Sequence, residues 1–171
     1  MLSFILSLGL AAAVHPGLQA LQKTFKNQKS LEASFNQKIV QDLFPESPDE
    51  ATGTLTFQRP NKMVWTYETP RKRVIEFDGL KLTVKENGRT ETQPISGAVT
   101  LEQSFSFLWG EPDPKVFKIQ TLSPRSFRVI PLRTDEVTFK HIDVVVDAGK
   151  VSEAKVYDKL GSTSLMRFSW K

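Results

Sequence analysis

Leu55, Phe57 and Arg59 share one parity, so in an unbroken strand their side chains point to the same face. Leu55 and Phe57 make that face the apolar one. The pattern therefore sets a permanently charged guanidinium against the apolar side of a sheet. Such a group is costly to bury unless it is paired and hydrogen-bonded, and the chemistry open to it is charge-assisted donation to fixed acceptors. Pro60 restricts Arg59 to extended backbone and marks a strand end or edge. Two readings stay open from the pattern alone. Arg59 either closes the strand with its stem packed and its head in water, or is a working part of the interior. Met63, Trp65 and Tyr67 resume the alternation, and only Val64 departs from it.

Other reactive constellations are missing. The two histidines, His15 and His141, are far apart in sequence and form no pair with metal spacing, so each reads as structural. The absence of cysteine excludes disulfides, thiol catalysis and thiolate metal sites within this sequence, and leaves none for N-terminal lipid attachment. No glycine-rich phosphate loop follows a strand, and Gly161-Ser162-Thr163-Ser164 lacks the second glycine of a nucleophile elbow. Acidic residues are scattered without an inward-facing pair. These observations point away from an enzyme, and no cofactor or metal is implied. Nucleic-acid binding is disfavoured because the basic residues form no stripe with interleaved aromatics.

The elements that must position Arg59 follow from the hydrophobic periods. With 171 residues, 39% apolar and 25% charged, the chain fits one globular domain. Its 12 phenylalanines can fill a core or line a cavity. The net charge of +4 is spread out, apart from Arg71-Lys72-Arg73, which reads as a solvated turn or as a contact for an acidic partner or anionic surface. Residues 1–13 combine a short apolar run with Ala11-Ala12-Ala13, the pattern of a secretory signal, although no Lys or Arg precedes the run. The domain is then expected over 14–171.

Leu18, Leu21 and Phe25 fall at i, i+3 and i+7, which predicts an amphipathic helix over 16–28 with Pro16 in its first turn. Strands are expected at 31–41, around Arg59-Pro60, at Arg73 to Phe77, and where Leu80, Leu82 and Val84 alternate with polar residues. Further strands are expected at Val116 to Leu122, Ser126 to Leu132, Glu136 to Asp147, Val151 to Lys159 and Ser162 to Trp170. The proline- and acid-rich stretch 42–50 reads as a loop, with Leu43 and Phe44 folding back on the core. Asp78-Gly79 and Asn87-Gly88 are turn signals. The shift of parity between Val137/Phe139 and Ile142/Val144/Val146 predicts a bulge near Lys140-His141. Thr100 and Gln103 fit a capping box, and Leu101, Phe105 and Leu108 share a helical face, so a second helix is expected over about 100–109, stopped by Gly110 and Pro112. The sum is a long antiparallel sheet with two helices packed against it.

The ordered set Ser34-Phe35-Asn36-Gln37, Gly53-Thr54-Leu55, Arg59-Pro60, Trp65-Thr66-Tyr67, Pro70, Asp78-Gly79, the segment from Phe105 to Gly110 and Val129-Ile130-Pro131-Leu132 resembles the bacterial periplasmic lipoprotein carrier family, LolA. The resemblance covers most of residues 16–170. It implies a mainly β fold, an incomplete antiparallel β-barrel with a helical lid over an apolar cavity. It also implies a monomeric periplasmic chaperone. Such a chaperone takes the acyl chains of lipoproteins from an inner-membrane ATP-driven transporter and passes them to an outer-membrane receptor. By the same resemblance Arg59 would latch the lid through backbone carbonyls of the helices. Leu55, Phe57, Met63, Trp65, Tyr67, Leu101, Phe105 and Leu108 would line the cavity, and Leu18, Leu21 and Phe25 would face it from the lid. Two other classes compete with a carrier: a non-catalytic lipid-sensing or protein-interaction domain of the cell envelope on the same scaffold, and a structural domain filled by its own phenylalanines.

Overall fold

The computed structural model describes residues 14–60, 62–94 and 106–171. The expected signal segment and the first part of the expected second helix, with Leu101 and Phe105, lie outside them.

Helix α1 spans Pro16–Phe25. Eleven strands follow: β1 Ser30–Gln41, β2 Phe44–Gln58, β3 Lys62–Thr69, β4 Arg73–Phe77, β5 Lys81–Glu86, β6 Arg89–Pro94, β7 Phe117–Ser123, β8 Ser126–Pro131, β9 Phe139–Asp147, β10 Lys150–Asp158 and β11 Ser162–Trp170. They form one antiparallel sheet in the order β6-β5-β4-β3-β2-β1-β11-β10-β9-β8-β7. The first and last strands pair at its centre, and each flank is a meander of hairpins. The result is an open sheet, an incomplete barrel, with α1 over one end.

Alternation decides which face is inside. Ala33, Phe35, Leu55, Phe57, Met63, Trp65, Phe127, Val129, Ile142, Val144, Met166 and Phe168 are buried on the concave face. The predicted bulge is present: Tyr157 faces His141 and Asp158 faces Phe139, so Lys140 is the extra residue. Its strand begins at Phe139 rather than at position 136, after a 3₁₀ turn at Thr134–Glu136.

Four expectations are corrected. Stretch 42–50 is not a long loop, because β2 begins at Phe44 after a turn at Asp42 and Leu43. Pro45 and Pro48 are tolerated there because β3 ends opposite Thr52, leaving this part of β2 on a free edge. Leu43 and Phe44 do not fold back; they are 84% and 65% exposed at the hairpin tip, where the Asp42 amide donates to the Gly161 carbonyl of the adjoining tip. Leu80 is outside the strand alternation and exposed, because the Asp78 carboxylate accepts from the Leu80 and Lys81 amides and holds a turn. The described part of the second predicted helix, Ser106–Trp109, is a single 3₁₀ turn, and strand β6 adds a fully exposed edge to the meander.

Candidate functional site

Helix α1 is fixed at both ends. His15 caps it: the His15 Nδ1 accepts from the Gly17 amide at 3.0 Å, and the His15 Nε2 lies 2.8 Å from the Ser123 carbonyl, to which it donates. Leu18, Leu21 and Phe25 are buried under it. Two left-handed glycines let it lie close. A Cβ on Gly110 (φ +81°) would stand 2.8 Å from the Leu21 Cβ, and one on Gly149 (φ +73°) would stand 2.3 Å from the Thr24 Oγ1. The Gln22 side chain donates to the Gly110 carbonyl at 2.8 Å, joining α1 to the 3₁₀ turn.

At the C-terminal end of α1 stands Arg59. Its Nη2 donates to the Phe25 carbonyl and its Nε to the Gln28 carbonyl, both at 3.1 Å. The Phe25 carbonyl, which also accepts from the Gln28 amide, closes the helix, and the Gln28 carbonyl follows in the turn after it, where the backbone dipole of the helix end favours a cation. The guanidinium also lies 3.8 Å from Glu111, with a third of its side chain exposed. Arg59 thus ties β2, the last turn of α1 and the segment after the 3₁₀ turn together.

Beside this junction the concave face holds a cavity of about 250 Å³. Met63, Trp65 and Tyr67 of β3 form one wall, Ile75, Phe77 and Leu82 of β4 and β5 the next, and Gln37 and Met166 the central floor. Trp65 and Tyr67 are held by edge-on contacts with Phe35, at 5.5 and 5.2 Å between ring centroids. Burial pushes the Tyr67 phenol above its usual range, partly offset by the Arg73 guanidinium. The Gln37 amide is satisfied by the Ser164 hydroxyl at 2.8 Å, which leaves the cavity apolar in character.

The residues singled out in the sequence divide between cavity and core. Met63, Trp65 and Tyr67 line the cavity. Leu55 is packed opposite Trp65 in the sheet, Phe57 stacks on Trp109 at 4.1 Å, and Leu108 is buried in the 3₁₀ turn, so these three belong to the packing beneath the helix and not to the cavity wall. Sequence reasoning missed Ile75, Phe77, Leu82 and Met166 as lining, and Gln22 as a lid contact. The parity of β4 and β5 held a signal for the first three, since Phe77 and Leu82 fall in one cross-strand row with Met63, and Ile75 stands opposite Trp65. Among the described residues no cluster of His, Cys, Asp and Glu could hold a metal, and no helix is long and apolar enough to cross a membrane.

Comparison with known proteins agrees with this architecture. Residues 26–170 match the family model described as outer membrane lipoprotein carrier protein LolA. The outer-membrane lipoprotein carrier protein of Cupriavidus taiwanensis is 24% identical over 157 residues, covering 87% of this chain and 74% of that protein. That of Coxiella burnetii (strain CbuK_Q154) is 24% identical over 173 residues, covering 97% and 82%. The crystal structure of a LolA superfamily protein from Nitrosomonas europaea superposes with a TM-score of 0.50 at 12% identity, covering 93% of this chain and 92% of the other.

Proposed function

The chain belongs to the LolA family of outer membrane lipoprotein carrier proteins, and on that premise we propose that it is a non-catalytic chaperone of the cell envelope. In this reading it binds the acyl chains of lipoproteins in the concave cavity. It receives them from an inner-membrane transporter, crosses the periplasm as a monomer and delivers them to an outer-membrane receptor.

The energetics suit a carrier. Burial is worth roughly 0.8 kcal/mol per methylene, so a sixteen-carbon chain gains of the order of 10 kcal/mol by leaving water. Leu18, Leu21 and Phe25 under α1 are together worth about 5–9 kcal/mol by the same measure. The two sums are close, so a fatty chain and the lid can compete for the same apolar surface. The cavity of about 250 Å³ is smaller than the roughly 300–1,000 Å³ that encloses typical small ligands. Loading therefore requires the lid to move.

The observation that carries this proposal is the pair of hydrogen bonds from Arg59 to the end of α1. They favour the closed, empty state and so set how readily cargo is released. A charged donor contributes about 1.5–3 kcal/mol per buried bond, and with the guanidinium a third exposed the pair is worth about 1–3 kcal/mol. Arg59→Leu should therefore slow transfer of a triacylated peptide to an acceptor by roughly tenfold and destabilise the empty protein. Dissociation kinetics followed by tryptophan fluorescence check this, and transfer at the wild-type rate would remove the latch.

A further inference from the structure

The apolar cavity continues into a polar hollow on the outer wing of the sheet. Strands β3 to β6 stack their concave side chains in three cross-strand rows. Nearest the lid lie Met63, Phe77, Leu82 and Gln93; next come Trp65, Ile75, Val84 and Glu91; farthest are Tyr67, Arg73, Glu86 and Arg89. The hollow measures about 750 Å³, shares Leu82 with the cavity, and is lined by the charged Arg73, Glu86, Arg89 and Glu91 beside the neutral polar Asn87 and Gln93. Among the described residues none of these four charges is in an ion pair. Arg73 stands opposite Tyr67 in the register of β3 and β4 and lines the hollow with Glu86 and Arg89.

We propose that this hollow receives the headgroup of a zwitterionic phospholipid, with the phosphate on Arg73 and Arg89, the ammonium on Glu86 and Glu91, and an acyl tail running past Val84 and Leu82 into the cavity. The inference rests on the cavity being an acyl site and names a second class of ligand for it. Directly opposed residues on neighbouring strands stand about 4.5–5.5 Å apart, so Arg73, Glu86 and Arg89 alternate in sign at a spacing one headgroup spans. The four charges sum to zero. A purely anionic headgroup would meet Glu86 and Glu91 along with the arginines, and a phosphate-free acylated peptide would leave both guanidinium groups without an anion. A headgroup carrying both signs satisfies all four.

Native mass spectrometry of the purified chain, mixed with equal amounts of phosphatidylethanolamine and phosphatidylglycerol, tests this. The expected result is one lipid per chain, with phosphatidylethanolamine preferred at least about fivefold. Arg73→Ser with Arg89→Ser should abolish the preference, and Glu86→Gln with Glu91→Gln should turn it toward phosphatidylglycerol. Equal uptake of the two lipids, or a preference untouched by both variant pairs, overturns the proposal. So does binding of free phosphoethanolamine as tightly as the whole lipid, because the tail is then not engaged. A triacylated peptide is run in parallel. If it binds and neither phospholipid does, the headgroup site falls alone; if nothing binds, the carrier reading falls with it.

Discussion

Arg59 is held chiefly by carbonyls. Its carboxylate partner Glu111 is distant, at 3.8 Å, and half-exposed, and such a pair is worth about 0–1 kcal/mol. The Phe25 and Gln28 carbonyls are nearer and have spare acceptor capacity at a helix end. The guanidinium fork reaches both at once, whereas a lysine offers one point of charge. The alternation put Arg59 on the parity of Leu55 and Phe57 but left open whether its head met water or the interior, and it could not show what the head bonds, because a backbone acceptor carries no residue type. His141 makes a separate case on the convex face. Its ring lies 4.3 Å from that of Tyr157, and burial, then the nearby Arg128, holds its pKa below the ordinary 6.5, with Asp143 opposing. A depressed folded value means that the neutral ring is favoured by folding. The stability this contributes is complete above 6.5 and is lost as pH falls through the folded value. Between 6.5 and the lower folded value, thermal stability should therefore fall more steeply with acid in the wild type than in His141→Phe. Parallel slopes would show that His141 is not the group responsible.

Helix α1 and the turn β9–β10 meet at Gly149, and here the Thr24 side chain leaves no room for a Cβ. Gly149→Ala would place a methyl 2.3 Å from the Thr24 Oγ1 in a backbone conformation disfavoured for alanine. We expect a loss of about 1–3 kcal/mol in denaturant unfolding, from strain and clash together. Adding Thr24→Ala should recover the clash but not the strain, so the pair should be less damaging than the sum of the two single changes. A purely additive result would mean that the contact is not the source. This element was legible in sequence because its stripe of Leu18, Leu21 and Phe25 has no competing strand pattern. The bulge at Lys140 was legible for the same kind of reason, since apolar parity changes across it. Strand β6 was not, because all of its residues are exposed and polar, so no periodicity marks it. The outer part of β2 was misread because prolines and acids signal a loop, yet on a free edge they cost few ladder bonds and protect against further strand addition.

The chain's two ends of strand structure, β1 and β11, meet in the middle of the sheet, and each wing thins outward to an edge. Stability is thus expected to be highest at β1, β10 and β11 and lowest at the edge strand β6 and at α1. That gradient follows from which strands are flanked on both sides, and on the proposed reading it would let the lid and wing move while the centre stays fixed. On the proposed carrier reading, the cavity of about 250 Å³ takes only part of a fatty chain, and the rest is expected to displace the residues under α1. Hydrogen exchange on the empty and loaded protein should separate the two regions. With a triacylated peptide bound, the amides of α1 from Gln19 to Phe25 should exchange at least several-fold faster, while those of β3 and β4 flanking the cavity slow. If α1 stayed equally protected in both states, the acyl chain would have to enter from the open wing without displacing the lid, and the Arg59 bonds could not govern release.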